Sequence, residues 1–394
     1  MAGKDTVLAR MLDAAHELPP WLVPEFARLH AEKLGAVRAT IYLQDYDQRE
    51  MLPLTDEALA GREVHGMSID DSEAGRAFMQ TTAVVSECEG GSRLYLPLLD
   101  GTARVGVLEI VTAKPVDAEQ WTAFAAVVAE LIVAKGAHTD VYFLARRRRP
   151  MGLAAEMQWR LLPPLTVSDP RVTIAGVVEP AYEVGGDAFD YAINHGTAHL
   201  AIFDAMGHGV DASVMATVAV GAYRHARRGG VPLNEMYTAV GTAFAAEFGH
   251  GRFVTAHLGT LDLATGQLVL VNAGHPPPWH IRGNKVLHPI QGAPALPLGL
   301  GDAPPAVVQV GLEPGDLVLL YSDGVVDASR GDEHYDEEHL RADVEHVLQD
   351  DVPLAETVRR LNHRLMKWRG GQTRDDATLM LVEWRSPELP RVTA

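Results

Sequence analysis

Apolar and polar positions change rhythm along this chain in a way that divides it in two. Between about residues 20 and 113, short alternating runs predict strands at Ala39–Gln44, Arg93–Leu98 and Val105–Val111, and Asp100-Gly101 between the last two is a hairpin-turn signal. Asp117, with Gln120 three residues on, has capping-box spacing, and Trp121, Phe124, Val128, Leu131 and Ile132 follow at helical intervals. A stripe of Leu153, Met157 and Leu161 at i, i+4 and i+8 predicts a connecting helix that stops at Pro163-Pro164. Its single apolar face suits a neighbouring element or a second copy of the chain. From about Arg171 strands dominate: Val172–Val178, His199–Phe203, Val254–Leu261, Leu268–Asn272, Leu317–Tyr321 and Ala377–Val382. Two helices interrupt them, Asp211–Arg228, closed by basic residues and Gly229-Gly230, and Leu233–Phe248, with Met236, Tyr237, Val240 and Phe244 on one face. Strand pairs with helices grouped between them predict a layered α+β sandwich and not a wound βαβ sheet.

Composition narrows the function. At 394 residues the chain is long enough for two domains, and 47% hydrophobic with 22% charged residues is globular composition. No run approaches the roughly 20 apolar residues of a membrane span, and the first residues lack the apolar core of a secretory signal, so a cytoplasmic location is expected. Cys88, the one cysteine, has no intramolecular disulfide partner, and no Cys or His pair has zinc-site spacing. A net charge of −18 repels nucleic acid and anionic lipid, so neither is an expected partner. The basic run Arg146 to Arg149 reads as a solvated linker segment. The acidic excess points to cations, because carboxylates gathered in one place bind metal.

Four aspartates stand at the ends of predicted strands: Asp187 in Gly185-Gly186-Asp187, Asp204 in Asp204-Ala205-Met206-Gly207-His208-Gly209, Asp323 in Ser322-Asp323-Gly324, and Asp375 in Arg374-Asp375-Asp376. Asp204 and Asp323 leave strands while Asp187 and Asp375 lead into them, so an antiparallel sandwich can bring all four carboxylates to one end of its layers. Hard oxygen ligands of this kind select Mg²⁺ or Mn²⁺. Two such ions lower the pKa of a shared water and clamp a phosphoryl group for in-line attack. Glycines beside the acids allow backbone and ion to come close, and the Ala205 carbonyl is a further candidate ligand.

The motifs Glu183-Val184-Gly185-Gly186-Asp187-Ala188-Phe189-Asp190, Asp204 to Gly209, Asn272-Ala273-Gly274-His275-Pro276-Pro277-Pro278, Tyr321-Ser322-Asp323-Gly324 and Asp375-Asp376-Ala377-Thr378 resemble, in order, those of the protein phosphatase 2C-like (PPM) superfamily, in its bacterial SpoIIE-like branch. The resemblance covers roughly residues 156 to 384. It implies an α-β-β-α sandwich and a serine/threonine phosphatase with two Mn²⁺ or Mg²⁺ ions. It also implies that Asp187 and Asp204 hold the first metal pair and that Asp323 and Asp375 complete the site, with Asp376 sharing or supporting that last role. Its implied substrate is a phosphorylated regulatory protein similar to an anti-sigma factor antagonist. Met206 stands where eukaryotic-type members carry a histidine treated as general acid, and His208 lies two residues later, so water is left to protonate the leaving group. No phosphate-gripping arginine is evident near the first motif, and Arg374 is the nearest candidate. His275 reads as an imidazole fastening a Pro-rich turn rather than as a ligand.

The N-terminal region resembles a GAF domain through Ala39 to Leu43, Leu94 to Leu98 and Gly106 to Ile110. The expected organisation is a sensor-like domain over 1–138, a linker and regulatory helix over 139–165 and the phosphatase domain over 166–386, with homodimerisation through the first two. Three rivals remain. Gly185-Gly186-Asp187-Ala188-Phe189 imitates the signature of cyclic dinucleotide synthases, but Ala188 replaces an acid and the later aspartates are left unexplained. A cysteine phosphatase fails because position 94, five residues beyond the loop start implied by Cys88, is Leu94 and not arginine. A catalytically degenerate scaffold that binds a signalling partner is the remaining alternative.

Overall fold

The computed structural model describes residues 11–88, 91–115, 118–183, 185–249, 251–301, 303–326, 329–330, 333–370 and 376–385. The chain forms two compact units, Met1–Pro150 and Met151–Ala394.

In the first unit, strands β1 (Ala36–Gln44), β2 (Glu50–Pro53), β3 (Met67–Ser68), β4 (Val84–Cys88), β5 (Gly91–Asp100) and β6 (Ala103–Thr112) make one antiparallel sheet in the order β3-β2-β1-β6-β5-β4. The expected hairpin is present, with Gly101 at φ +58° and Asp100 opposite Ala103. Period-two alternation divides the sheet between two cores. Leu94, Leu96 and Leu98 face the helices Val23–Lys33 and Glu119–Gly136, whereas Tyr95 packs with Phe78 of the helix Glu73–Gln80 on the other face. Trp121, Phe124, Val128, Leu131 and Ile132 are buried as their spacing predicts, and Asp117 of the capping box lies outside the described residues.

The basic run is solvated only in part: Arg148 and Arg149 are exposed, Arg146 and Arg147 half-buried, and all four have partners. Arg146 donates to the Gln44 carbonyl at 2.7 Å and lies 4.4 Å from the Tyr46 ring centroid; Arg147 lies 4.4 Å from that of Phe143. Arg148 pairs with Glu50, and Arg149 with Asp47 at 4.0 Å. Planar guanidiniums stack and fork at once, so this run of arginines straps its segment to the connection between β1 and β2.

The second unit has two antiparallel sheets. One contains β9 (Asp187–Asn194), β10 (Thr197–Ala205), β11 (Val254–Asp262), β12 (Gln267–Ala273) and β15 (Val307–Gly311), ordered β15-β12-β11-β10-β9. The other contains β7 (Thr166–Asp169), β8 (Val172–Glu179), β13 (Trp279–Arg282), β14 (Lys285–Pro289), β16 (Leu317–Tyr321) and β19 (Ala377–Trp384), ordered β14-β13-β16-β19-β8-β7. A two-stranded ribbon, β17 (Ser329–Arg330) and β18 (Glu333–His334), stands apart. Alternate residues of the central strands serve different layers. Leu200 and Ile202 of β10, Val318 and Leu320 of β16, and Met380 and Val382 of β19 meet between the sheets. Ala201 and Phe203 pack on helices Val210–Arg228 and Leu233–Phe248, and Leu319, Leu379 and Leu381 pack on helices Glu337–Val347 and Leu354–Trp368. The result is the expected four-layer α-β-β-α sandwich. Strands β13 to β15 and the two outer helices near the C-terminus are additional to those read from the sequence. The helix Leu354–Trp368 was legible there, since Leu354, Val358, Leu361 and Leu365 recur at helical spacing and are all buried.

The connecting helix is Leu153–Leu161, and its buried face differs from the apolar stripe. Ala154, Ala155 and Gln158 are buried while Leu153 is 64% exposed. Small residues win that face because the backbone approaches its neighbours closely: a Cβ on Gly185 would lie 3.0 Å from the Ala154 carbonyl oxygen.

Candidate metal centre

Two of the sequence-predicted aspartates, Asp187 and Asp204, come together at one end of the inter-sheet core. Asp187 opens β9 and stands in register opposite Asp204 near the end of β10. By strand alternation Asp187 shares the face of Phe189, and Asp204 the face of Leu200 and Ile202, so both carboxylates continue the layer between the sheets. The second sheet closes over them by the same arithmetic, since Ser322 extends the face of Val318 and Leu320, and Thr378 that of Met380 and Val382.

Hydrogen bonds then lock the two sheets together. Ser322 Oγ and Thr378 Oγ1 both donate to Asp187 Oδ2, at 2.6 and 2.7 Å, and Ser322 and Thr378 are fully buried. The Thr378 amide donates to Ser322 Oγ at 2.9 Å, and the Ser322 amide to the Thr378 carbonyl at 3.0 Å. Asp376, 3% exposed, accepts from the Asp187 amide at its Oδ2, at 3.1 Å. From the connecting helix, Gln158 Nε2 donates to the Asp187 carbonyl at 2.9 Å and to Asp376 Oδ2 at 3.4 Å. Asp323 is exposed at the start of the short helix Asp323–Val326, between Ser322, which bonds Asp187, and Gly324, whose backbone packs on Asp376. Asp375 and Arg374 lie outside the described residues, as does Val184 of the first motif.

The glycines of these motifs answer to protein packing. A Cβ on Gly186 would sit 3.2 Å from Ala212 Cβ, 3.4 Å from the Ala205 carbonyl oxygen and 3.6 Å from Asp376 Oδ2; on Gly324 it would lie 1.8 Å from the Asp376 carbonyl oxygen. Gly207 and Gly209 take φ of +85° and +79°, which only glycine adopts without strain, and turn the chain from β10 into helix Val210–Arg228. Thus Ala205 and Asp376 flank Gly186 closely, and Asp187 adjoins it in sequence. Among the described residues no three His, Cys, Asp or Glu side chains gather closely enough to hold one ion together. The donors that do converge are carboxylate, hydroxyl and carbonyl oxygens, a set whose chemistry fits Mg²⁺ or Mn²⁺.

His275 takes the turn-fastening role. Its amide donates to Asn272 Oδ1 at 2.8 Å, Asn272 Nδ2 returns a bond to the His275 carbonyl at 2.9 Å, and Nδ1 shares a 2.7 Å hydrogen bond with Thr255 Oγ1. Thr255 is the residue paired with Asp204 across β10 and β11, so the turn braces the strand end that carries the acid. Burial, reinforced by the neighbouring His257, holds the His275 imidazole well below its ordinary pKa and keeps it neutral. His257, whose Nε2 donates to the Pro276 carbonyl at 2.6 Å, is pushed down by burial to about 4.

Three contributors were not assigned from the sequence. Ser322 and Thr378 stand inside the quoted motifs, so their signal was present. Gln158 was hidden in a helix read for its leucines.

Comparison with known proteins finds similarity over the second unit. Residues 194–385 match the family model described as Stage II sporulation protein E (SpoIIE), a span that includes Asp204, Ala205, Asp323, Asp375 and Asp376 and begins just after Asp187. The phosphoserine phosphatase RsbU of Bacillus subtilis (strain 168) is 22% identical over 234 residues, covering 58% of this chain and 68% of that protein. Among solved structures, the RsbU and RsbW domains of Rv1364c from Mycobacterium tuberculosis are 25% identical over 58% of this chain and 64% of that one, just under two thirds of its length, with TM-score 0.48. The SiaA-PP2C domain of Pseudomonas aeruginosa is 21% identical over 59% of this chain and 94% of that one, with TM-score 0.49.

Proposed function

We propose that this chain, whose C-terminal domain belongs to the SpoIIE-like branch of the protein phosphatase 2C-like superfamily, is a divalent-metal-dependent phosphatase that removes phosphate from serine or threonine of a regulatory protein. The carrying observation is the convergence at Asp187: one buried carboxylate, in register with Asp204, is gripped by hydroxyls from two strands of the opposite sheet. Asp187, Asp204, the Ala205 carbonyl, Asp323 and Asp375 would hold the ions, with Asp376 supporting them. Bound Mn²⁺ or Mg²⁺ supplies Lewis acidity that activates water and offsets phosphoryl charge. The chain's own residues do the rest. Ser322 and Thr378 fix which Asp187 oxygen faces the protein, and Asp376 and Gln158 fix the backbone on which that carboxylate stands. The exposed Asp323 lies on the solvent side, where a phosphorylated side chain arrives.

The substrate in this reading is a phosphorylated protein of the anti-sigma factor antagonist type, in a cytoplasmic pathway opposing a kinase. That part rests on family likeness. No described helix is long and apolar enough to cross a membrane. The N-terminal unit acts as a sensor, and the helix Leu153–Leu161 is its natural output because Gln158 bonds directly to the Asp187 and Asp376 positions. The exposed Leu153 offers that helix a place in a homodimer.

Manganese-dependent hydrolysis of p-nitrophenyl phosphate and of a phosphoserine protein tests the enzymatic reading. Activity is expected in the wild type and absent in Asp187→Asn and Asp323→Asn; a wild-type rate equal to the variants' favours a scaffold. Removing residues up to 150 is expected to change rate or oligomeric state, and no change in either ends the regulatory half of the reading.

A further inference from the structure

Where the pairing of β10 with β11 ends, the backbone brings one arginine to the rim of the candidate metal centre. Asp204 is in register with Thr255 and Ala205 with Val254, and the Met206 amide extends the pairing by donating to the Phe253 carbonyl at 3.3 Å. Arg252 is the next residue outward, beside the turn at Gly207. It lies three residues from Thr255, so at most about 11 Å separates their Cα atoms. Its backbone is fixed from behind: Val254 and Leu298 exchange hydrogen bonds at 3.1 and 2.8 Å, and a Cβ on Gly299 would sit 2.9 Å from the Arg252 carbonyl oxygen. The Arg252 side chain is exposed, and among the described residues it has no hydrogen bond, ion pair or ring contact. Arg224 and Arg227, by contrast, are both tied to Asp190. Space is open around it, since a Cβ on Gly207, Gly209 or Gly251 would meet nothing within 4 Å. His208, between the first two of these glycines, is also exposed and without a partner among the described residues.

We propose that Arg252 determines specificity by favouring phosphoserine substrates that carry an acidic side chain two or three positions from the phosphoserine. The inference rests on the phosphatase reading and names a feature of its substrate. A guanidinium has five N–H donors in a planar fork and no acceptor, so a carboxylate is the side chain it takes best. The carboxylates of Asp187 and Asp204 are turned into the layer between the sheets and do not occupy it. A phosphoryl group held over Asp204 leaves the rest of an extended peptide to run outward at about 3.3–3.6 Å per residue, and two or three residues cover the distance to Arg252. The net charge of −18 disfavours an acidic segment over most of the surface. Salt screens that repulsion beyond about 8 Å, so a single exposed cation beside the site decides whether acid is accepted there.

The test measures kcat and KM of the manganese-loaded full chain for three phosphoserine peptides of one length. The first has aspartate two and three positions from the phosphoserine on both sides, the second asparagine at those positions, and the third the same aspartates moved to the peptide ends. Hydrolysis of p-nitrophenyl phosphate by the wild type is measured beside them, and its absence removes the phosphatase reading and this inference together. With that activity present, the wild type is expected to prefer the first peptide over the other two about two- to fivefold in kcat/KM, mainly through KM and less at high salt. Arg252→Gln is expected to treat the first and second peptides alike, and Arg252→Lys to keep part of the preference. A merely structural role would lower all three peptides together and leave their ratios unchanged. No preference in the wild type, equal preference for the distant aspartates, or an unchanged ratio in Arg252→Gln overturns the inference and leaves the phosphatase reading standing. Circular dichroism checks folding, which the exposure of this side chain protects.

Discussion

Replacing Thr378 by valine isolates the grip on Asp187. Valine keeps the β-branched shape that suits a central strand and leaves the backbone bonds between Ser322 and Thr378 intact, but it removes the Oγ1 donor 2.7 Å from Asp187 Oδ2. Thr378 is 0% exposed and Asp187 2%, so water does not replace the lost donor without opening the space between the sheets. A hydrogen bond to a charged group contributes about 1.5–3 kcal/mol, and Ser322 Oγ remains on the same oxygen, so the expected loss is about 2 kcal/mol. Against a stability of about 5–15 kcal/mol that is a large fraction. Urea unfolding followed by tryptophan fluorescence reads it as a lower midpoint in the transition of the second unit, to which Trp279 and Trp384 report. Ser322→Ala costs more, because it also strands the buried Thr378 amide, and the two substitutions are not additive since both hydroxyls serve one oxygen. The same Thr378→Val protein should need more manganese for half-maximal hydrolysis. A midpoint within about 0.5 kcal/mol of wild type together with an unchanged manganese requirement would refute the idea that these hydroxyls orient the carboxylate.

Gly324→Ala is expected to lower manganese-dependent hydrolysis roughly a hundredfold with the fold retained, because a Cβ there would lie 1.8 Å from the Asp376 carbonyl oxygen and must push the Asp323 loop away; kinetics with circular dichroism as control decide it. His257 gives a pH dependence. Its native pKa of about 4 lies below the ordinary 6.5, so the unfolded chain takes up a proton first as pH falls, and stability is lost between those two values by an amount on the order of 3 kcal/mol. Urea midpoints measured from pH 7 to 4.5 should therefore fall less steeply in His257→Gln than in the wild type; parallel profiles would show that this imidazole does not stay neutral in the native state.

Local pattern settled much of this protein in advance. Alternation located the hairpin at Asp100-Gly101 and the central strands of the sandwich, because a strand buried on one or both faces advertises itself within a few residues. Acid at strand ends with glycine next to it, or three residues on in the case of Asp204, drew attention to Asp187, Asp204 and Asp323, since a chain that turns tightly and carries a carboxylate leaves both signs within a few positions. Arginines and the connecting helix were misjudged for the same reason that the site's inner partners were missed. The worth of Arg147 depends on which ring lies beneath it, and that of Gln158 on an amide reaching residues 29 and 218 positions away. Likewise, only the closure of one sheet over the other puts the hydroxyls of Ser322 and Thr378 on Asp187, across 135 and 191 residues. Sequence spacing records which face of its own element a side chain occupies; the partner on the opposite face is chosen by packing, and so it is the tertiary structure alone that decided what holds the aspartates in place.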